Sequence, residues 1–358
     1  MSDLVLVVNP GAGSTKIGLY RDGASVAERT ERHGAEELAR CPRIADQLPL
    51  RAERVRAFLA QTELVRGALS AVVGRGGLLR PLESGTYLVD EAMLEDATRA
   101  ARGEHAANLG APLARAIADE QGCPAYVVDP VSVDELDPVA RYSGLAGVER
   151  TSLCHALNMR AVARRHAAAV GRPLEALRLV VAHLGTGVSL SAQREGRMVD
   201  VVNPLDEGPF AGDRCGGLPA TPLVDLCFAP GAEPRAVKKR IFGDGGLYSY
   251  LGTRDVREAA ERAQRGDEKA RSVLDAMAYQ VAKAVGEMAT VLLGRVDAVL
   301  LTGGAAHVEA LVAAVRPRVA WIAPVVLYPG EDELLALAEG ARRVLRGEER
   351  AKRYREGA

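Results

Sequence analysis

Short apolar, β-branched runs alternate along the chain with stretches of helical spacing. Residues Leu4–Val8, Ile17–Tyr20, Ala71–Val73, Ala125–Val128, Leu177–Ala182, Val188–Ala192, Met198–Val202, Ala298–Leu301 and Val325–Leu327 read as strands. Between them Glu91–Arg102, Ala106–Gln121, Ser152–Val170, Asp255–Arg265 and Glu268–Leu293 carry apolar residues at helical intervals, and Gly122 and Gly171 stand where left-handed C-caps favour glycine. A last helix is expected from about Asp332 to Tyr354, with the charge run of residues 346–356 as its solvated face. The alternation predicts an α/β protein.

A weak internal repeat lies within this pattern. Val8-Asn9-Pro10-Gly11-Ala12-Gly13 leads into the run Ser14–Leu19 and then Arg21-Asp22-Gly23, while Ala182-His183-Leu184-Gly185-Thr186-Gly187 leads into Val188–Ala192 and then Arg194-Glu195-Gly196. Each unit reads as strand, glycine turn, strand and charged turn, so two halves of similar topology are expected. A Gly-x-Gly turn lets backbone approach a ligand and offers successive N–H groups to an anion, with phosphate as the natural partner. A Walker loop is absent, because Lys16 precedes Ile17 and no G-x-x-x-x-G-K-[ST] frame fits. The Rossmann pattern fails as well, since the chain continues as strand after Gly13 instead of entering a helix. A third glycine site, Thr302-Gly303-Gly304, follows a buried strand and is expected to precede a helix starting near Ala306. Two glycine hairpins followed by strand-Gly-Gly-helix point to a two-domain ATP cleft of the actin, Hsp70 and sugar-kinase type.

Composition narrows the classes of function. The chain has 358 residues, too many for one ordinary core, and 48 % hydrophobic with 26 % charged residues suits large packed domains. A net charge of -1 provides no global field for nucleic acid or an anionic membrane, and neither is expected as a partner. Five cysteines without a C-x-x-C pair signal neither a disulfide framework nor a thiolate zinc site. The N-terminus carries Asp3 where a signal peptide has bases, and no apolar run approaches the roughly 20 residues of a membrane span, so a cytoplasmic location is expected.

The motifs match a known family in order. Asn9-Pro10-Gly11 with Ser14-Thr15-Lys16 resembles the opening signature of the acetate and butyrate kinases. Gly74-Arg75-Gly76-Gly77-Leu78-Leu79, His105-Ala106-Ala107-Asn108, Val128-Asp129-Pro130, His155-Ala156-Leu157-Asn158 and Tyr328-Pro329-Gly330-Glu331-Asp332-Glu333 follow as further matches. The resemblance covers about residues 4–354, and the Gly-Arg-Gly-Gly, His-Ala-x-Asn and Tyr-Pro-Gly-Glu-Asp-Glu wording is similar to the butyrate kinase branch. It implies two ribonuclease H-like domains with ATP, Mg²⁺ and the acid between them. Residues 1–150 with about 331–358 would form the acyl- and phosphate-binding domain, and 151–330 the nucleotide-binding domain. Homodimers or larger assemblies are common in the family.

The resemblance also implies roles. Arg75 would hold the substrate carboxylate or the transferring phosphoryl group, and Arg214 would clamp that group from the other side. His155 would donate to an equatorial oxygen, with His105 as its companion. Asp129 would serve Mg²⁺, partnered by one of Glu331, Asp332 and Glu333. Asn9, Gly11 and Lys16, then His183, Gly185, Thr186 and Gly187, would lie along the phosphates, with Gly303 and Gly304 beneath adenosine. Thr186 departs from the family glycine. Gly76, Gly77 and Cys154 replace bulkier residues of acetate kinases, which should leave room for extra methylenes, each worth about 0.8 kcal/mol when buried. The expected activity is reversible, in-line phosphoryl transfer between ATP and a short-chain acid such as butyrate, giving ADP and acyl phosphate. Acetate or propionate kinase is the near alternative, and a non-catalytic or chaperone-like ATP-binding module the distant one.

Overall fold

A computed structural model describes residues 2–62 and 67–354. Among the described residues fourteen strands run in chain order as β1 (Leu4–Pro10), β2 (Ser14–Arg21), β3 (Ala24–Arg32), β4 (Ala71–Arg75), β5 (Thr86–Leu88), β6 (Ala125–Val128), β7 (Tyr142–Leu145), β8 (Val148–Glu149), β9 (Leu179–Leu184), β10 (Val188–Arg194), β11 (Arg197–Val202), β12 (Ala298–Gly303), β13 (Val325–Pro329) and β14 (Lys352–Arg353). The helices are α1 (Ala35–Ala39), α2 (Leu48–Ala60), α3 (Glu91–Arg99), α4 (Gly110–Gln121), α5 (Ala156–Ala169), α6 (Ala220–Cys227), α7 (Pro234–Ile241), α8 (Gly246–Leu251), α9 (Val256–Gln264), α10 (Glu268–Val291), α11 (Glu309–Val319) and α12 (Glu333–Leu345). They belong to two compact units, residues 1–134 with 332–358, and residues 135–331.

Within each unit the same five-strand sheet recurs. In the first, β3-β2-β1-β4-β6 stand in that order, the outer hairpin strands antiparallel and β1, β4 and β6 parallel, with β5 and β14 extending the edge. In the second, β11-β10-β9-β12-β13 repeat the order and the senses. The repeat extends to detail. The turn from β2 to β3 places Asp22 and Gly23 at φ 52° and 87°, and that from β10 to β11 places Glu195 and Gly196 at 52° and 70°. This left-handed pair matches the twist of a hairpin.

Every residue of β1, β9 and β12 is buried, as central strands require. Glycines set the close layers of the first unit: a Cβ on Gly74 would enter the carbonyl of Gly110, and one on Gly340 would meet Val128, so β4 and β6 take α4 and α12 at short range. Helix α10 starts where the Asp267 side chain accepts from the Ala270 N–H, and it buries Val273, Met277, Val281, Val285 and Met288 against the second sheet.

Two expectations are corrected. The last helix stops at Leu345, because Gly347 turns at φ 72° and the chain then extends into β14 beside β5. The charge run after it is therefore no solvated helix face. Arg346 pairs with Asp3 at 2.9 Å, Glu349 accepts from Thr86 N–H at 2.6 Å and Lys352 donates to Glu83 at 2.8 Å; Arg355 and Glu356 lie outside the described residues. After Gly303-Gly304 a short 3-10 turn over Gly304–His307 precedes α11, which starts at Glu309 rather than near Ala306. Among the described residues no helix is long and apolar enough to cross a membrane.

Candidate active site

In the first unit the hairpin β1–β2 presents Gly11, Ala12 and Gly13 at its turn, with Ala12 and Gly13 exposed. A Cβ on Gly13 would find nothing within 4 Å, so open space lies against this backbone. Asn9 precedes the turn and is buried; its Nδ2 donates to Glu333 Oε2 at 2.7 Å. Arg75 ends β4 and places Nη1 2.7 Å from Glu333 Oε1. Glu333, on the first turn of α12, thus gathers Asn9 and Arg75. Its neighbour Asp332 is exposed, as is Lys16 on β2. Nε and Nη2 of Arg75 have no partner among the described residues, so donors suited to a carboxylate or phosphate remain available.

Asp129 follows β6 and is 2 % exposed. Its Oδ1 accepts from Ser84 Oγ at 2.6 Å and Gly85 N–H at 2.7 Å, and its φ of 39° is a left-handed conformation costly for a residue with a Cβ. His105 caps a 3-10 turn, where its Nδ1 accepts from Ala107 N–H at 3.2 Å. Asn108, in the same motif, accepts from Leu78 N–H at 2.8 Å and fastens the loop after Arg75. That fastening corrects the expectation of vacant space at Gly76 and Gly77. A Cβ on Gly76 would lie 2.6 Å from Val127 Cγ1, and one on Gly77 would strike Asn108. The missing side chains admit close packing of the loop rather than substrate methylenes.

The second unit has its own cluster around the β9–β10 turn. His183, on β9, is 1 % exposed, and its Nδ1 lies 2.9 Å from Asn158 Oδ1. His155 precedes α5 and stacks on His183 with ring centroids 3.9 Å apart and planes 11° from parallel, while its Nδ1 meets Ser189 Oγ at 2.8 Å. Cys154 beside it is buried. Glu331 Oε1 reaches to 3.1 Å from His183 Nε2, although the approach lacks hydrogen-bond alignment. Glu331 is placed there by the pairing of Gly330 with Gly303, in which each N–H donates to the other's carbonyl. Arg214 lies over Gly187: a Cβ there would fall 2.5 Å from Nη1. Apart from Asp213 at 3.8 Å, Arg214 has no charged partner among the described residues. Thr186 is exposed at the turn, between Gly185 and Gly187. Gly303 takes φ 88° and is buried, a Cβ there entering the backbone of Leu184, whereas Gly304 is exposed and a Cβ on it would meet nothing within 4 Å, so the open backbone is that of Gly304.

The first unit therefore brings together Asn9, Arg75 and Glu333, and the second His155, His183, Glu331 and Arg214 over Gly185–Gly187. Sequence reading missed Ser189 and placed Glu333 only among the candidate metal acids, with no contact to Arg75. No spacing signal joins residues 9, 75 and 333; only the return of α12 onto the first sheet does so.

Two ribonuclease H-like units, each with a glycine hairpin flanked by guanidinium and carboxylate groups, define a protein of the acetate and sugar kinase fold class. The crystal structure of Porphyromonas gingivalis acetate kinase is similar at a TM-score of 0.78 and 20 % identity, covering 96 % of this chain and all of that one. A propionate kinase from Francisella tularensis is similar at a TM-score of 0.76 and 18 % identity, with 94 % and 98 % covered. The model of the acetokinase family matches residues 141–319. Butyrate kinase 1 of Clostridium acetobutylicum is 50 % identical over 352 residues, which is 98 % of this chain and 99 % of that protein. The chain belongs to the acetokinase family.

Proposed function

We propose that the protein is a short-chain carboxylate kinase, butyrate kinase-like, that converts an acid and ATP reversibly into acyl phosphate and ADP. What carries the reading is the end-to-end match to a butyrate kinase, taken with the presence here of Arg75 and Arg214, each with guanidinium donors free of other charged partners. A carboxylate oxygen attacks the γ-phosphorus and the bond from that phosphorus to the ADP oxygen breaks. The acid arrives deprotonated at neutral pH, so no general base is required. Arg75 orients the acid through its open Nε and Nη2 edge while Glu333 fixes the rest of the guanidinium. Arg214, with His155, offsets charge on the transferring group, and the backbone of Gly185–Gly187 holds the nucleotide phosphates. The open backbone at Gly304 would lie against a ribose or base. Among the described residues no three metal-ligating side chains gather, so Asp129 and Asp332 would be the carboxylates on Mg²⁺, with phosphate oxygens and water completing its shell. The ion would supply neutralisation of the phosphate charge.

The acid preferred is butyrate or a branched homologue, by similarity to the butyrate kinase and not through Gly76 or Gly77. Trapping the acyl phosphate with hydroxylamine across acetate, propionate, butyrate and isobutyrate tests this. Hydroxamate should form, with kcat/KM highest for a four-carbon acid. A maximum at acetate would replace butyrate kinase by acetate kinase, and ATP hydrolysis without hydroxamate would reject the reading.

A further inference from the structure

Beneath the turn of the first hairpin sits an arginine that the proposed chemistry leaves unused. Arg51, on α2, is 0 % exposed. Its partners are all neutral oxygens: Nε and Nη2 donate to Gln47 Oε1 at 3.1 and 2.8 Å, Nη1 donates to Ser14 O at 2.9 Å and Thr15 Oγ1 at 3.0 Å, and Nη2 reaches Ala12 O at 3.3 Å. No carboxylate pairs with it among the described residues. Burial lowers the pKa of this guanidinium, yet an arginine keeps its proton in a protein. His33 lies against the same Thr15 hydroxyl at 2.8 Å, and Glu31 and Glu37 act on that imidazole without pairing with Arg51. A buried cation without a counter-charge is costly unless something else offsets it.

The turn above shows what can offset it. Ser14 O accepts from Gly11 N–H at 2.8 Å as well as from Arg51, Ala12 O accepts from Arg51, and Gly13 O accepts from His33 N–H at 2.9 Å. The three carbonyls, whose partial negative charge would repel an anion, are thus all tied down. The N–H groups of Ala12 and Gly13 have no partner among the described residues, and both residues are exposed. From this arrangement we propose that Arg51 is a positioning residue for phosphate. It holds the carbonyls of Ala12 and Ser14 inward, beside that of Gly13 held by His33 N–H, and supplies, through the backbone, the positive charge that makes the turn's exposed N–H face bind a phosphoryl oxygen. The inference rests on the kinase reading for the identity of the phosphorylated ligand, but not for the binding of phosphate itself.

The test compares the full chain with Arg51→Gln, Arg51→Lys and Gln47→Leu, reading the rise in melting temperature caused by inorganic phosphate and the KM for acyl phosphate and MgATP. Arg51→Gln should lose the phosphate-dependent rise and increase KM for acyl phosphate about tenfold, as expected for one hydrogen-bonded charge, with kcat changed less. Arg51→Lys keeps the cation, and Gln47→Leu weakens the same cluster without removing it, so both should retain most of the phosphate response whatever their own melting temperature. If Arg51→Gln merely lowered the melting temperature, leaving the phosphate response and both KM values at wild-type levels, Arg51 would be a structural residue only. Should Arg51→Gln not fold, the other two variants decide, and loss of the response in both, with the cation still present, would overturn the proposal. A wild-type protein that made no acyl phosphate yet showed an Arg51-dependent phosphate response would overturn the kinase reading alone.

Discussion

Glu333 divides its two oxygens between Asn9 and Arg75, and this makes Arg75 more than a detachable catalytic group. Removing it leaves a buried carboxylate with one partner fewer. Arg75→Ala should abolish turnover and also lower stability by roughly 1–3 kcal/mol, the cost of an unsatisfied buried acceptor. Glu333→Gln keeps the hydrogen-bonding shape but frees the guanidinium. It should raise KM for the acid with a smaller loss of stability, because Arg75 is then less well fixed. Steady-state kinetics together with urea melts check both, and unchanged stability in Arg75→Ala would show that the pair does not form in solution. That Arg75 and Asp129 stand at strand ends was legible from their motifs. Arg51 was not, since a charged residue on a strip otherwise formed by Ala52, Val55 and Phe58 breaks the apolar spacing by which α2 would be recognised.

At the level of elements, the glycines fall into two kinds that sequence alone cannot separate. Gly187 has Arg214, a flexible side chain, where its Cβ would be, whereas Gly74 has the backbone carbonyl of Gly110. Gly187→Ala should therefore fold with little loss of stability while displacing the guanidinium, with turnover falling by an order of magnitude or more, as when one transition-state donor is lost. Gly74→Ala should instead prevent α4 from seating on β4 and give little soluble protein. Circular dichroism melts and turnover of the two variants separate these outcomes, and a fully active Gly187→Ala would remove Arg214 from its assigned role. Both hairpins were legible because strand, glycine turn and charged turn repeat in order. The strands β5 and β14 were not: each is too short to show alternation and exists through pairing with distant partners.

For the whole molecule, the repeated five-strand order is the strongest structural feature that the sequence foreshadowed, because apolar runs determine strands wherever both faces are buried. The return of the C-terminus was only partly visible. Tyr354 is 1 % exposed and its hydroxyl donates to Asp96 at 2.9 Å, so the segment around Tyr354 is fastened within the first unit by a contact between residues more than 250 apart in sequence, which no local pattern encodes. The central claim, that this fold moves a phosphoryl group onto a carboxylate, is tested most directly by following ³¹P resonances of the full chain with MgATP and butyrate, beside Arg214→Ala. The account predicts an acyl phosphate signal growing with ADP in the wild type and neither growing in the folded variant. ADP accompanied only by inorganic phosphate from the start, or an acyl phosphate signal of equal rate in Arg214→Ala, would contradict it.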